Sequence, residues 1–173
     1  PVSLRTLFEV MRHLVDQGVI IRHVRPILEA VGRHVEHSSS MDRLVASVRK
    51  DVALVLVSGL VTPDGYVPAI RVSATMANAI AHEESPAKTL ESPMKMLVQQ
   101  VQAILKKEGL SKSALLVPNA HRQVFAVLCR PLLPDVTVLG NDECSLKLKV
   151  RTLGTIDVAE PNVDEILQTT PYS

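Results

Sequence analysis

Aromatic side chains are nearly missing from this chain: its 173 residues hold two phenylalanines, two tyrosines and no tryptophan. Its interior is therefore built from Val, Leu, Ile, Ala and Met, and a base-stacking platform for single-stranded nucleic acid is excluded. Charge of one sign is missing too. Nineteen Lys and Arg stand against eighteen Asp and Glu, mixed along the chain, without the basic stripe of a nucleic-acid binder. Cysteine is limited to Cys129 and Cys144. Their spacing fits neither a metal site nor a disulfide scaffold, so they read as reduced thiols of a cytosolic chain. Long hydrophobic runs are absent: the most apolar, VALVLVSGLV at 52–61, has ten residues where a bilayer needs about 20. Gly59, Gly65, Gly140 and Gly154 are isolated, so no phosphate-cradling loop is expected. No targeting peptide opens the chain, which starts at Pro1. The expectation is a soluble piece from the end of a longer protein.

Aliphatic residues are what the chain has in quantity. With 46% apolar residues and a mean hydropathy of +0.19 beside 21% charged residues, it has material for a core and for apolar surface that a partner or sister copy covers. The first sixty residues read as three helices. Ser3 caps the first, whose Leu4, Leu7, Phe8, Met11, Leu14 and Val15 recur at helical spacing, and Gly18 closes it. The second carries Val24, Ile27, Leu28, Val31 and Val35, with Pro26 tolerated in its first turn. Serines 38–40 cap the third, striped by Met41, Leu44, Val45, Val48, Val52 and Leu56.

At Thr62-Pro63-Asp64-Gly65 a turn signal changes the pattern. A strand over 67–73 and a helix over 74–82 follow, then an ambiguous stub at 87–91. A helix opens at Ser92-Pro93 and ends at Gly109. The run 114–117 is apolar throughout and reads as a strand buried on both faces. Asn119 is expected to cap a helix bearing Val124, Phe125, Leu128 and Leu132, and strands are expected at 136–139 and 147–158. In the last, Leu148, Val150 and Thr152 alternate with Lys147, Lys149 and Arg151. The predicted class is α+β: an all-helical subdomain over 1–61, a two-layer α/β subdomain with a small mixed sheet over 62–158, and a flexible tail over 159–173.

Four stretches, in collinear order, carry a resemblance. They are GVIIRHVRPILEA at 18–30, MDRLVASVRK at 41–50, LLVPNAHRQVFAVLCRPLLPDVTVL at 115–139 and VRTLGTIDV at 150–158. Together they resemble the type III secretion and flagellar export-gate proteins. That family has a helix-turn-helix with a glycine, an Ile-Arg pair, a second Arg and an Ile-Leu-Glu run. An acidic-then-Val-Arg helix, a buried strand, an Arg- and Leu-rich helix, Leu-Pro-Asp before a short strand, and a closing Gly-Thr-Ile strand follow. The likeness covers nearly everything from 1 to about 158. It departs at Gly140-Asn141-Asp142-Glu143, where the family has Ser-Tyr-Asn-Glu. The acid is kept and the tyrosine is not, so a partner contact through that tyrosine is not carried over.

The resemblance implies the third and fourth subdomains of a cytoplasmic domain on the inner face of the bacterial inner membrane. It implies a non-enzymatic role without a cofactor. The partners it implies are sister copies in a nine-membered ring, together with chaperones, gatekeepers and export substrates. Membrane attachment would come only through an N-terminal transmembrane half. Docking residues known for the family lie upstream and are not carried over. Arg5, Glu9, Arg12, Arg22 and Arg25 are the candidate polar rim of the ring contact, since helices with apolar stripes and edge charges suit repeated heterologous contacts.

Other chemistry is thinly indicated. His34, Glu36 and His37 share a helix end, but no further metal ligand is indicated. Cys129, His121 and Asp135 are the elements of a thiol nucleophile, its base and an orienter. However, eight residues of helix put His121 and Cys129 roughly 12 Å apart. Pro118-Asn119-Ala120-His121 superficially resembles a self-cleaving Asn-Pro loop with the order reversed. A small cytosolic hydrolase using Cys129 or Cys144 is the alternative from another functional class.

Overall fold

The computed structural model describes residues 2–19, 21–82, 92–144 and 148–158. The stub at 87–91, Lys147 and the tail over 159–173 fall outside these residues.

Three helices, α1 (Leu4–Asp16), α2 (Val24–His34) and α3 (Met41–Asp51), wrap one aliphatic core of Val10, Leu14, Ile27, Ala30, Val31, Leu44, Val45 and Val48. Ser3 Oγ accepts from Thr6 N at 3.1 Å and Ser40 Oγ from Arg43 N at 3.3 Å, satisfying otherwise orphaned amides at the two helix starts. Gly18, at φ +78°, turns the chain after α1 in a conformation that a side chain would oppose. The apolar arc of α1 is wider than its buried face. Val10 and Leu14 are buried, whereas Leu4, Phe8 and Val15 are exposed.

The third helix stops at Asp51 rather than running on to Leu56. Val52 belongs to the helical core, but Ala53 and Val57 pack against the sheet. A short α4 (Ala53–Leu56) therefore turns toward that second core. Tertiary packing overrides the continuous stripe in a stretch whose valines have modest helix propensity.

The sheet comprises β1 (Val67–Val72), β2 (Ser113–Val117), β3 (Val136–Gly140) and β4 (Val150–Ile156), in the order β3-β2-β1-β4. All three pairings are parallel, so the α+β class stands while the sheet is not mixed. Parallel neighbours need crossovers. They are supplied by α5 (Ala74–Ala81) and α6 (Pro93–Glu108) between β1 and β2, and by α7 (Arg122–Leu132) between β2 and β3. These three helices cover one face, burying Ile70, Met76, Leu97, Leu115 and Phe125, while α4 covers part of the other with Ala53 and Val57 against Ala69 and Leu116. Every residue of β2 is buried, as its unbroken apolar run predicts. Along β4 the register slips between Ala69↔Thr152 and Ile70↔Gly154. Leu148 and Val150 thus serve the α4 side, while Leu153 and Ile156 pack with α5–α7.

A surface staple joins α2 to α3. Arg33 Nε and Nη2 donate to Asp51 Oδ2 at 3.1 and 2.9 Å, and His34 Nε2 lies 2.8 Å from the same oxygen. Burial alone would raise the Asp51 carboxyl, but the hydrogen bonds and charges of Arg33 and His34 outweigh it and hold the group below its ordinary value of 3.8. A carboxyl depressed in the folded state stabilises above its unfolded value and loses that contribution as pH falls through the folded one. Asp51→Asn should therefore lower the urea midpoint at pH 6. The gap to the unsubstituted chain should shrink once the pH drops below about 3.8, and a gap unchanged by acid would contradict the staple.

Candidate functional site

Charged residues meet where the helical core joins the sheet. Arg49 of α3 and Glu143, in the single turn after β3, have side chains only 2% and 3% exposed, with Arg49 Nε 2.9 Å from Glu143 Oε2. Glu143 Oε1 lies 3.1 Å from Nε of Arg122, at the start of α7, and accepts from Gly140 N at 3.0 Å. The second arm of Arg49 donates Nη2–H to Val138 O at 3.1 Å, and Arg122 Nη1 donates to Gln17 Oε1 at 2.6 Å. Thus α3 and the end of α1 are both tied to the β3–α7 edge of the sheet. Burial, then the charge of Arg49, push the Arg122 guanidinium below its ordinary range against the pull of Glu143 and Asp142. It stays charged nonetheless, as arginine does in proteins.

A second tier surrounds this node. Lys50 Nζ is 2.8 Å from Asp142 Oδ2, and Asn119 Oδ1 accepts from Asp142 N at 2.8 Å. Asn119 therefore does not cap a helix as expected; its side chain pins the turn after β3, and it opens a short 3-10 turn before α7. Gly140 matters here for space, not for its backbone angle, since a side chain would push on the two oxygens that hold the turn. A Cβ would sit 2.8 Å from Asn119 Oδ1 and 3.0 Å from Asp142 Oδ1. The stretch Gly140-Asn141-Asp142-Glu143 is thus an internal fastener whose one buried acid, Glu143, serves two arginines.

Arg49 and Arg122 were not singled out from the sequence. A signal existed for Arg49: it lies four residues after Val45 and three before Val52, on the apolar face of its helix, where a charge demands a buried partner. For Arg122 no comparable signal was present, since its partners are distant in sequence.

Between the helical unit and the β3 edge lies a cleft of about 630 Å3, floored in part by Arg49 and walled by Val55, Leu56 and Leu133. The expected rim residues fall in two places. Arg5 pairs with Glu9 at 3.3 Å and Arg25 with Glu29 at 2.9 Å on the outer faces of α1 and α2, and Arg12 is exposed on α1. Arg5, Glu9 and Arg12 share α1 with the exposed Leu4 (86%) and Phe8 (69%), whereas Arg25 belongs to α2. Arg22 stands apart from them and lines the cleft. A second apolar face is open on α7, at Val124, Val127, Leu128 and Leu132.

The hydrolase alternative lacks an activated thiol. Burial pushes the Cys129 thiol up to about 12. His121 Nε2 sits 2.7 Å from Asn78 Oδ1, and Cys144 is also raised, by burial first. A nucleophilic cysteine needs the opposite shift. Among the described residues no group of three or more His, Cys, Asp or Glu is placed to hold a metal. His34 and His37 are no exception, for His34 is engaged with Asp51.

Comparison with known proteins gives this architecture relatives. The FHIPEP family profile matches residues 1–149, most of the chain. The chain belongs to the FHIPEP family. Flagellar biosynthesis protein FlhA of Escherichia coli K12 is 28% identical over 158 residues, covering 90% of this chain and 23% of FlhA. Among solved structures, the Shigella flexneri MxiA protein superposes with a TM-score of 0.66 at 18% identity, over 90% of this chain and 52% of that one. The nonameric EPEC SctV-C gives a TM-score of 0.64 at 16% identity, over 90% and 49%. This FHIPEP chain thus spans about a quarter of FlhA and about half of the structures it resembles, and none of its described helices is long and apolar enough to cross a membrane.

Within this FHIPEP fold the Arg49–Glu143–Arg122 node makes a sharp demand. Glu143→Gln removes the carboxylate that, among the described residues, stands buried between two buried guanidinium groups. It should cost about 3–5 kcal/mol, read as a lower urea midpoint with an unchanged slope. A cost under about 1 kcal/mol, the range of an exposed pair, would show that the node does not hold the two parts together.

Proposed function

We propose that this chain is a ring-forming and docking part of the cytoplasmic domain of a type III export gate, acting through surfaces and not through bond chemistry. The observation that carries the reading is the exposed apolar stripe of Leu4, Phe8 and Val15 on α1, in a FHIPEP chain whose structural neighbours include the nonameric EscV cytosolic domain of a type III secretion system. An exposed apolar stripe marks an interaction surface, and in this reading a neighbouring copy covers it. Rings arise when such a patch meets a different patch on the next copy and the rotation closes.

In this reading the helical unit over 1–61 supplies the contact between copies, with Arg5, Glu9, Arg12 and Arg25 as its polar rim and Arg22 at the cleft side. The α/β unit over 62–158 presents the apolar face of α7 to cytosolic partners, with chaperones, gatekeepers and export substrates as the expected classes. The whole sits at the cytoplasmic face of the inner membrane, joined to it through segments upstream of this chain.

The test is self-association. Sedimentation velocity over rising concentration should show the chain associating, and Leu4→Asp with Phe8→Asp should weaken it by more than tenfold. Burying one such side chain contributes about 1.5–3 kcal/mol, and 1.4 kcal/mol is a factor of ten. Val127→Asp, on α7, should leave the association unchanged. A chain monomeric at every concentration, or one equally associated after the α1 substitutions, would sink the α1 contact.

A further inference from the structure

The cleft beside β3 has an uneven charge. Arg22 in the link between α1 and α2, Lys112 just before β2 and Arg130 on α7 are exposed and line it. His23 joins them, and the one carboxylate in the lining is that of Asp135. Three cations thus arrive from distant parts of a chain that is nearly balanced overall, with nineteen basic and eighteen acidic residues. Arg22 and Lys112 have no ion-pair partner among the described residues, and Arg130 Nη1 donates to the Asp16 carbonyl at 3.2 Å. Arg49 forms part of the floor, but it is buried and paired with Glu143, so an occupant does not reach it. The apolar part of the lining includes the half-buried Val55 and Leu56 of α4 and Val136 of β3.

β3 is an edge strand, and an edge can take up an extended peptide by main-chain pairing. Here that route is nearly spent. Val136 N donates to Leu133 O at 3.1 Å, Val138 O accepts from Arg49 Nη2 at 3.1 Å, and Gly140 N donates to Glu143 Oε1 at 3.0 Å. These are alternate residues, the set whose backbone groups point away from β2. Between Val136 and Val138 they leave one carbonyl and one N–H, too few to hold an added strand. Recognition in the cleft therefore falls to side chains.

We propose that the cleft docks an acidic segment of a partner protein, one in which aliphatic side chains stand between carboxylates. The carboxylates pair with Arg22, Lys112 and Arg130, and the aliphatic side chains lie on Val55, Leu56 and Val136. Charge complementarity selects the sign of the partner. The apolar wall selects a peptide over a simple anion, which would leave that wall in water. A nucleic acid is disfavoured, because no Phe, Tyr or Trp lines the cleft to stack a base. The volume, about 630 Å3, is that of pockets that take several groups at once. Exposed ion pairs are individually weak and screened by salt, so the docking is reversible and not a permanent assembly. The site goes beyond the docking face on α7 and rests on the fold alone, not on the α1 contact between copies.

The test is fluorescence anisotropy of a labelled, end-blocked peptide, Glu-Asp-Leu-Val-Asp-Glu, titrated with the 173-residue chain. Binding should saturate and should weaken as NaCl rises. Replacing the Leu and Val of the peptide by Ser should weaken it by about tenfold or more, since both side chains lose their apolar contact. In the chain, Arg22→Glu with Lys112→Glu should weaken binding by about tenfold or more. Gly59→Glu should do the same by adding a like charge at the cleft wall. A Cβ at Gly59 meets nothing within 4 Å, and its φ is not positive, so the fold tolerates the change. Urea midpoints equal to that of the unsubstituted chain check this for both variants. Absence of saturable binding overturns the proposal, and so does binding indifferent to the cleft substitutions. Displacement at equal concentration by sodium phosphate makes the cleft a small-anion site, and displacement by a single-stranded oligonucleotide makes it a nucleic-acid site; either overturns the proposal as well. The Leu4→Asp/Phe8→Asp chain should bind the peptide unchanged, which separates a failure here from a failure of the α1 contact.

Discussion

Glu143 holds two arginines that come from different parts of the chain, and the relation between the helical core and the sheet depends on that arrangement. Arg49 arrives on α3 and Arg122 on α7, and each is nearly excluded from water. Desolvating three charges is expensive, and their mutual attraction only partly offsets the cost. The gain is positional, because a buried guanidinium tolerates few geometries. Once Nε meets Glu143 and Nη2 meets Val138 O, α3 is fixed in register against β3. Gln17 and Asp16 extend the fastening to the end of α1 through Arg122 and Arg130. Around this polar joint the packing is aliphatic on both sides, and Leu56 touches both the helical core and the α4 side of the sheet.

This fixed relation sets two exposed apolar stripes on one frame. The stripe on α1 and the one on α7 are held at a set mutual angle by the joint instead of floating on a linker. In the proposed ring such rigidity would matter, since closure depends on the angle of each repeated contact. The cleft between the units is a by-product of the same geometry. The fastener brings arginines to its floor and leaves one arm of Arg49 in need of an acceptor.

Most of the fold was legible in the sequence because it rests on local rules. Ser3 and Ser40 cap as read, Gly18 and Gly109 take positive φ at helix ends, and β2 is buried throughout as its run of Ala114, Leu115, Leu116 and Val117 implies. Family membership followed from motif order. What escaped depends on contacts between distant residues. The break at Val52 reflects two cores competing for neighbouring valines, and Asn119 pins a turn twenty-three residues away instead of capping. The parallel sense of β4 depends on the path from β3 to the far edge, which periodicity does not encode. The burial of Arg49 and Arg122 was hidden because their common partner is Glu143, 94 residues beyond Arg49.

The most direct measurement of the joint is native-state hydrogen exchange in rising urea. Amides of Val45 and Val48 report the helical core, and those of Leu115 and Leu116 the sheet. If the Arg49–Glu143–Arg122 node couples the two, both sets should exchange through one cooperative opening with the same free energy and the same urea dependence. Helical amides that open at a free energy several kcal/mol below the sheet amides would show two units folding independently, and the node would then be a contact between them and not the constraint that unites them.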